Sequence, residues 1–471
     1  MSLKNTRSRL VVGLSLGLLA TVLLLCLEAH FRPLAVKGLY FQSYSSETMM
    51  QAVSIEDLRD EPLRTLWYLH IQPPAYDAIR ALLAYVWRSD DSMNMLWRVD
   101  RTLYILWALL YGMTGFVVFW WLSEMTSIKF AAALSLLFLA HPASIFYATF
   151  LETTLLSAFL ILCFCYLLWR VKEGFYVPVV VLALSFLSLF FTRSIFQWPW
   201  LLFLPFSLAL MRFPFRRLAV FIAITGIVVG LYTLKQKSLF QLYSTSSFTG
   251  INLCNSIGYP DALGKYAKQS VPVQEPGSKK PKVLTRIKKV NGTINFNNEH
   301  YLAVNRELLQ EYRRQVLQSS PLLLVRSYVT NLKIYLRPSS RLTKHVIVDR
   351  LPWRSAYDSL FSFPILPPLL TMAFLFWMTR SNRSTLLDTM GLCLPVAFIA
   401  FLCVVFARDE NMRYKFFIEP VLFVFLAAQV YGAGKLMIHK GLYNMKKFHA
   451  TIKYSRIARG LGMSGCRGNK K

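Results

Sequence analysis

Long apolar blocks alternate with polar blocks along the chain, and this pattern determines the predicted elements. A helix needs about 20 mainly apolar residues to cross the core of a membrane, and about ten segments meet that requirement. These segments cover residues 10–28, 103–123, 129–147, 153–169, 176–192, 195–211, 218–234, 359–378, 389–407 and 415–433. Several are short or contain proline, which is tolerated where neighbouring helices satisfy the backbone. The pattern predicts an all-α polytopic membrane protein with about ten transmembrane helices.

The same pattern divides the chain into helical parts and polar parts. The parts are residues 1–28 (first helix), 29–102 (first large loop), 103–234 (helices two to seven), 235–358 (second large loop), 359–433 (helices eight to ten) and 434–471 (basic tail). A basic start followed by an apolar stretch is also typical of a signal peptide. Because no small-residue cleavage site is evident before Glu28, the stretch is interpreted as an uncleaved first helix.

The orientation follows from the basic residues of the chain start and the short loops. These residues are Lys4, Arg7, Arg9, Arg170, Lys172, Arg212, Arg216, Arg217, Arg380 and Arg383. With ten helices they all fall on one side, which the positive-inside tendency makes cytoplasmic. Both chain ends are therefore predicted to be cytoplasmic and both large loops extracytoplasmic. The predicted location is the plasma or inner membrane, or the endoplasmic reticulum in a eukaryote.

The composition adds to this prediction by excluding some classes of protein. The 471 residues are 55% hydrophobic and 16% charged, with 53 Lys and Arg against 24 Asp and Glu, a net charge of +29. These values exclude a disordered chain and a disulfide scaffold. A basic balance can indicate nucleic-acid binding, but here the charge must be confined to loops. Partners that carry phosphate within a membrane fit better, because basic segments next to a membrane bind anionic lipids.

Acidic residues are scarce, and their positions indicate a site. Nine of the 24 lie in residues 29–102, and Glu152, Asp409 and Glu410 lie in short loops on the same predicted side. Ionisable groups at the ends of spans are functional candidates. The candidate residues are Glu47, His70, Tyr76, Asp77, Glu152, Arg193, Arg408, Glu410, Arg413 and Lys415.

Carboxylates, a histidine and several cations at one membrane face suit transfer from a lipid phosphate. A carboxylate would deprotonate an acceptor hydroxyl, and cations would stabilise the departing phosphate. A groove between helices would hold the lipid. Since an extracytoplasmic site has no nucleotide sugars, the expected donor is a membrane-carried sugar.

At these positions the chain resembles the C-type (GT-C) glycosyltransferase superfamily. The most similar groups are the aminoarabinose/mannosyl-transferase-like enzymes and the dolichyl-phosphate-mannose protein mannosyltransferases. Their motifs occur in the same order here over most of residues 1–433, although Ser46 stands where that superfamily often has a second acid. The matching residues are Glu47, then His70 with Pro73 and Pro74, then Glu152, then Glu410 with Arg413 and Tyr414.

The resemblance implies an inverting transfer in which polyprenyl phosphate leaves. It assigns the base role to Glu47, for which Asp57 or Asp77 are alternatives, and catalytic roles to Asp77 and Glu152. It assigns substrate contacts to His70, Tyr76, Arg193, Arg408, Glu410, Arg413 and Lys415, the four cations among them binding phosphate. Residues 235–358 would face the acceptor, which could be a lipid, a glycan or a protein.

Two other functions remain open from the sequence. A lipid or solute transporter or a flippase would be expected to place ionisable groups near the middle of the membrane and to use broken helices. A polymerase or ligase for diphosphate-linked glycans would share the multi-span body and the large loop. No cofactor is required by the pattern. A divalent cation near His70 is conceivable, but no ligand spacing argues for one.

Overall fold

A computed structural model describes residues 3–35, 46–197, 199–259, 288–341, 348–360, 383–406, 408, 411–432 and 434–435. Within these residues the regular elements are helices, and the pairing of Lys288 with Ile294 is an isolated β-bridge. The predicted all-α class is therefore confirmed. Most of the predicted span 359–378, Glu410 and nearly all of the basic tail lie outside the described residues.

The helices are numbered here in chain order. They are α1 (Leu3–Ala35), α2 (Ile55–Asp60), α3 (Pro62–Trp67), α4 (Ala75–Val86), α5 (Ser92–Met125), α6 (Ile128–Leu139), α7 (Pro142–Ala148), α8 (Thr153–Lys172), α9 (Val179–Thr192), α10 (Trp200–Leu210), α11 (Phe215–Phe240), α12 (Thr249–Ser256), α13 (Glu299–Gln318), α14 (Pro321–Tyr335), α15 (Arg354–Leu360), α16 (Arg383–Phe406), α17 (Asn411–Lys415) and α18 (Glu419–Gly432). Short 3₁₀ turns cover Ser46–Thr48, Ser339–Arg341 and Val348–Arg350.

Four helices are long and apolar enough to cross a membrane. They are Thr6–His30 within α1, and α5, α8 and α11. Helices α6 and α7 qualify together as one span bent by 62°, which raises the number to five. The protein is therefore an integral, multi-pass membrane protein. The prediction of about ten membrane-crossing helices is wrong for the described residues, where four to five meet the requirement.

The difference arises because hydropathy continues where helical structure stops. Helix α9 has 14 residues and α10 has 11, so they extend only about 21 Å and about 17 Å at about 1.5 Å per residue. The membrane core is about 30 Å thick. Between these two helices, Ile195 and Phe196 are apolar but not helical. A hydropathy scan counts such residues toward a span, although they add no helix length.

Helices α1 and α5 pack closely because both carry small residues at the contact. A Cβ atom on Gly17 would lie 3.0 Å from the carbonyl oxygen of Gly112. The Thr21 hydroxyl donates to the carbonyl oxygens of Gly17 (2.9 Å) and Ala108 (3.2 Å), which ties the two helices together. Small residues and hydroxyl hydrogen bonds are the usual means by which membrane helices approach one another.

Replacing Gly112 by alanine should therefore destabilise the protein by about 1–3 kcal/mol, as overpacking does. The new Cβ would overlap the Gly17 carbonyl oxygen and the Thr21 hydroxyl. Gly226 in α11 is the matched control, because nothing lies within 4 Å of a Cβ there. Gly226→Ala should stabilise by up to about 1 kcal/mol through helix propensity. The midpoint of thermal unfolding in detergent measures both effects. Shifts of this midpoint in the same direction for both variants would contradict the close packing of α1 against α5.

The polar segments form a layer at one end of the helix bundle, called here the loop end and comprising residues 46–102, 241–259 and 288–341. Helix α5 has 34 residues, or about 51 Å, so it extends past the membrane core. Asp91 caps the first turn of this helix, because its carboxylate accepts from the N–H groups of Met93 and Asn94. The later segments fold back onto residues 46–102, as the bond from Ser247 N–H to the His70 carbonyl (2.7 Å) shows.

Candidate functional site

Arg80 lies at the centre of a buried ionic cluster in the loop end. One of its terminal nitrogens donates to Asp77 Oδ1 and to the Val53 carbonyl oxygen, both at 2.7 Å. The other lies 3.8 Å from Glu47 Oε1, and all three charged side chains are fully buried. Asp77 and Arg80 share one face of α4 because residues three apart are neighbours on a helix. One guanidinium thus compensates two carboxylates.

The Glu47 carboxylate is also held by backbone groups from two other segments. Its Oε1 accepts from the N–H of Ile55 (2.6 Å), and its Oε2 accepts from the N–H of Asn291 (3.1 Å). Ile55 begins α2, where the first N–H groups of a helix lack partners within the helix. Glu47 therefore joins residues 46–55 to the turn at residues 288–294.

Lys289 covers this junction from the second polar segment. Its ammonium donates to the carbonyl oxygens of Glu47 (2.9 Å) and Met49 (2.8 Å), and only 4% of the residue is exposed. The pKa of Lys289 is lowered to about 7, mainly by burial and secondly by the neighbouring charge of Arg80. The carboxylate of Glu47 acts in the opposite direction. A lysine that the sequence places in a basic loop is thus part of the buried cluster.

This shift predicts a pH dependence of stability. In the folded protein Lys289 loses its proton near pH 7, whereas in the unfolded chain a lysine keeps its proton up to about its ordinary pKa of 10.5. The unfolded state binds more protons between these values, so the free energy of unfolding should rise with pH across that window. Thermal unfolding at pH 7–10 should show a smaller rise for Lys289→Met than for wild type. Lys288→Met, at an exposed neighbour, should leave the rise unchanged; equal slopes for both variants would contradict the assignment.

A second buried ion pair joins Glu152 to Arg413. Glu152 Oε2 accepts from Arg413 at 2.8 Å, and the two side chains are 3% and 9% exposed. Glu152 precedes α8, and the Thr154 hydroxyl donates to its other oxygen. The sequence places these partners in separate short loops, and the fold brings them together.

Tyr414 lies between two guanidinium groups. The guanidinium carbons of Arg413 and Arg193 are 5.2 Å and 5.4 Å from the centroid of its ring, which is the geometry of a cation–π contact. Arg193, which directly follows α9, also donates to Gln51 Oε1 at 3.1 Å. Arg193 is therefore linked both to the last described helices and to the loop that follows Glu47.

Tyr76 connects the two ionic clusters. Its hydroxyl donates to the Leu151 carbonyl oxygen at 2.5 Å, directly before Glu152. Its ring meets the Trp107 ring edge-on at 5.9 Å, and the Trp107 indole donates to the Glu152 carbonyl oxygen at 3.1 Å. These contacts, together with the short chain segment from Glu47 to Gln51, link the two ionic clusters into a set called here the polar ring. Its members are Glu47, Gln51, Tyr76, Asp77, Arg80, Glu152, Arg193, Arg413 and Tyr414.

A cavity of about 120 Å³ opens beside the polar ring and is called here the Arg193 cavity. Arg193 and Tyr414 form its charged and aromatic wall. Apolar side chains from the non-helical link and from α16 form half of the remaining lining, namely Ile195, Pro199, Leu402 and Phe406. A cation beside an apolar surface suits a ligand that has an anionic group and a hydrocarbon chain.

His70 lies away from the polar ring and joins the two polar segments. Its Nδ1 is 2.9 Å from the Ser247 hydroxyl oxygen, its backbone N–H donates to Asn297 Oδ1 at 3.0 Å, and its ring lies 5.2 Å from that of Phe240. Burial lowers the pKa of His70 to about 3, so the imidazole is neutral at physiological pH. Its predicted contact with substrate stays a prediction.

The remaining predicted cations also lie outside the polar ring. Lys415 donates to the Arg337 carbonyl oxygen and lies 3.6 Å from Glu419 Oε1. Arg408 lines a different cavity, bounded by α13 and α14. Glu410 lies outside the described residues. The structure therefore gathers six predicted site residues, Glu47, Tyr76, Asp77, Glu152, Arg193 and Arg413, and places His70, Arg408 and Lys415 elsewhere.

Three members of the ring were not predicted as site residues: Gln51, Arg80 and Tyr414. Two of them carried a signal in the sequence. Tyr414 belongs to the matching motif with Glu410 and Arg413, and Arg80 stands three residues after Asp77 within an otherwise apolar stretch. Among the described residues, no three His, Cys, Asp or Glu side chains come together as a metal site. The positive charge that lies between the carboxylates of Glu47 and Asp77 is the Arg80 guanidinium.

No protein-family model matches the chain, and no curated protein matches it. The features on which a function can be proposed are therefore the polar ring and the Arg193 cavity of a multi-pass membrane protein.

Proposed function

We propose that this protein is a membrane glycosyltransferase that moves a sugar from a polyprenyl-phosphate donor to an acceptor hydroxyl at the loop end. The observation that carries the proposal is the Arg193 cavity, where a buried guanidinium meets an apolar wall beside a ring containing three carboxylates. In the predicted orientation this end is extracytoplasmic, and the acceptor is a lipid, a glycan or a protein.

The donor phosphate would bind to Arg193. Arginine is suited to phosphate because its planar group donates two parallel hydrogen bonds to two oxygens. The neighbouring Tyr414 ring and Gln51 amide restrict how the guanidinium can turn. The prenyl chain would extend over Ile195, Leu402 and Phe406, which face the same cavity. Arg413, held by Glu152, would add positive potential behind Tyr414.

The acceptor would be activated by a carboxylate, for which we assign Glu47. The carboxylate takes the proton of the acceptor hydroxyl, the acceptor oxygen attacks the anomeric carbon, and the bond from that carbon to the phosphate oxygen breaks. Polyprenyl phosphate leaves with the bonding electrons, and the anomeric configuration inverts. Asp77 and Glu152 act as positioning residues through Arg80 and Arg413. Because Asn291 N–H and Lys289 cover Glu47, the 288–294 turn must move before an acceptor can reach it.

The direct test is donor binding and transfer by purified protein in lipid nanodiscs. Mass spectrometry should find a co-purifying polyprenyl-phosphate sugar, and a labelled donor should yield polyprenyl phosphate and a product with one added sugar. A bound nucleotide sugar, or release of no polyprenyl phosphate with any acceptor class, would overturn the proposal.

Arg193→Gln should weaken donor binding by about tenfold to a hundredfold, since hydrogen bonds to charged groups contribute about 1.5–3 kcal/mol. The matched control is Arg217→Gln, because Arg217 also stacks on a tyrosine, with its guanidinium 4.6 Å from the Tyr176 ring centroid. It lies in the first turn of α11, at the other end of the bundle. Equal losses in both variants would show that Arg193 does not contact the donor.

One observation favours a second candidate, a lipid transporter. The Arg193 cavity lies at the non-helical link between α9 and α10, and interrupted helices often line transport sites. Liposomes that lack any acceptor separate the two functions. Movement of the polyprenyl-phosphate sugar across the membrane without hydrolysis or transfer would favour the transporter. A long polymeric product would instead indicate a glycan polymerase.

A further inference from the structure

A second, larger cavity lies between α12, α13 and α14 and is called here the Arg408 cavity. Its volume is about 410 Å³. Arg326 and Arg408 supply two cations to its wall, and Tyr259, Ser319 and Thr330 supply hydroxyl groups. None of these residues belongs to the polar ring. The composition of the wall suits an anionic group larger than a simple ion.

Within the part of the chain that the structure describes, no acid forms an ion pair with Arg326 or Arg408. Glu311, on the adjoining helix, is already occupied, because it pairs with Arg314 at 2.6 Å and accepts from Gln315 at 2.8 Å. Among the described residues, the wall of the cavity therefore presents two guanidinium groups to which an anionic ligand can bind.

The backbone next to the cavity is shaped to accommodate Arg408. Gly258 has φ +85°, a conformation that side chains rarely adopt, and a Cβ atom there would overlap the Arg408 guanidinium. Helix α12, with eight residues or about 12 Å, separates this cavity from the Arg193 cavity. Thr249 and Asn252 of α12 line the Arg193 cavity, and Ile257 and Gly258 line the second.

Helix α14 presents an apolar face beside the same cavity. Its outward residues are Leu322 (77% exposed), Leu323 (57%), Val325 (56%), Val329 (45%) and Leu332 (43%). Its inward residue Asn331 donates to the carbonyl oxygens of Ser256 (2.8 Å) and Val404 (3.1 Å), the latter near the end of apolar helix α16. An exposed apolar face of this size, next to an apolar helix and flanked by arginines, is typical of a helix that lies against lipid.

We propose that the Arg408 cavity binds the headgroup of an anionic phospholipid whose acyl chains lie along the apolar face of α14. Arg326 and Arg408 bind the phosphate oxygens, and the hydroxyl groups of the cavity bind the remainder of the headgroup. The apolar face distinguishes a lipid from a soluble phosphate compound, because a soluble compound would leave Leu322, Val325 and Val329 in water. This site is separate from the donor site and does not depend on the proposed transferase activity.

The test is photolabelling of the full-length protein in phosphatidylcholine nanodiscs. Each nanodisc contains a trace of photoactivatable phosphatidylglycerol or, in a parallel sample, of photoactivatable phosphatidylcholine. The anionic probe should label peptides from residues 257–259 and 321–335 in preference to the neutral probe. The double variant Arg326→Gln with Arg408→Gln should reduce this labelling about tenfold, as expected for the loss of charged hydrogen bonds.

Two further variants make the outcome decisive. Arg306→Gln with Arg313→Gln removes the same charge from exposed positions of α13 that do not line the cavity, and labelling should persist. Gly258→Ala keeps every charge but displaces Arg408, so labelling should fall. Equal labelling by both probes, an equal loss in the α13 control, or full competition by soluble glycerol phosphate would overturn the lipid site. Donor binding at Arg193 is measured separately, so failure of either proposal can be recognised.

Discussion

Replacing Glu47 by glutamine is expected to lower the rate of sugar transfer by about 10²–10⁴-fold, the usual contribution of a general base. The protein should stay folded, because Asp77 still compensates Arg80. The structure also predicts that the substitution moderately lowers the free energy of unfolding. The N–H groups of Ile55 and Asn291 meet different oxygens of Glu47. In glutamine one of these oxygens is replaced by an NH2 group, so one buried donor loses its acceptor at about 1–3 kcal/mol. Transfer rate and thermal unfolding in nanodiscs measure the two effects.

Thr293→Val is the matched control for this experiment. The Thr293 hydroxyl donates to the Glu47 carbonyl oxygen (3.2 Å) and to Asn291 Oδ1 (2.6 Å), so valine loosens the same turn without removing the carboxylate. It should destabilise the junction to a similar extent and retain transfer. If Thr293→Val loses as much transfer as Glu47→Gln, the role of Glu47 is structural and the base lies elsewhere, at Asp77 or Asp57.

Arg80→Met should have the largest effect on stability, a loss of about 3–5 kcal/mol, because it leaves buried carboxylates without their cation. Arg80 is fully buried and also donates to the Val53 carbonyl oxygen and the Ser46 hydroxyl. Methionine has a similar length, so the loss is one of charge and hydrogen bonds rather than of volume. The midpoint of thermal unfolding and the yield of detergent-purified protein should both fall sharply.

The comparison for Arg80 is Arg64→Met in the same layer. Arg64 pairs with Glu61 at 2.7 Å, but the two side chains are 47% and 51% exposed. Exposed pairs contribute about 0–1 kcal/mol, so this variant should unfold close to wild type. Similar unfolding midpoints for the Arg80 and Arg64 variants would mean that the buried cluster is open to water in solution.

Local spacing made one part of the site predictable from sequence. Asp77 follows two prolines at the start of a helix, and Glu152 and Arg193 stand where apolar runs end, so their positions near one membrane face could be inferred. The all-α class and the membrane location followed from apolar runs such as 10–28. The number of membrane-crossing helices did not follow, because hydropathy does not detect that α9 begins only at Val179 and α10 only at Trp200.

The pairings within the site could not be predicted, because they join distant parts of the chain. Nothing near Glu152 indicates Arg413 as its partner, and nothing near Glu47 indicates the N–H of Asn291, 244 positions away. Lys289 shows the limit most clearly, since it stands among many lysines of a polar loop and yet is 4% exposed. Only packing in three dimensions distinguishes it from exposed Lys288.

The Glu152–Arg413 pair imposes an order on the biogenesis of the protein. The partners are 261 positions apart, so at about 5–20 residues per second roughly 13–50 s of translation separate them. During that interval the acid at the start of α8 enters the membrane before its arginine exists. Until Arg413 is synthesised, the Glu152 carboxyl group must be protonated, hydrated or shielded by the insertion machinery. The polar ring closes only when the last helices arrive, so a nascent chain that stops before Arg413 carries an unmatched acid that quality control can recognise.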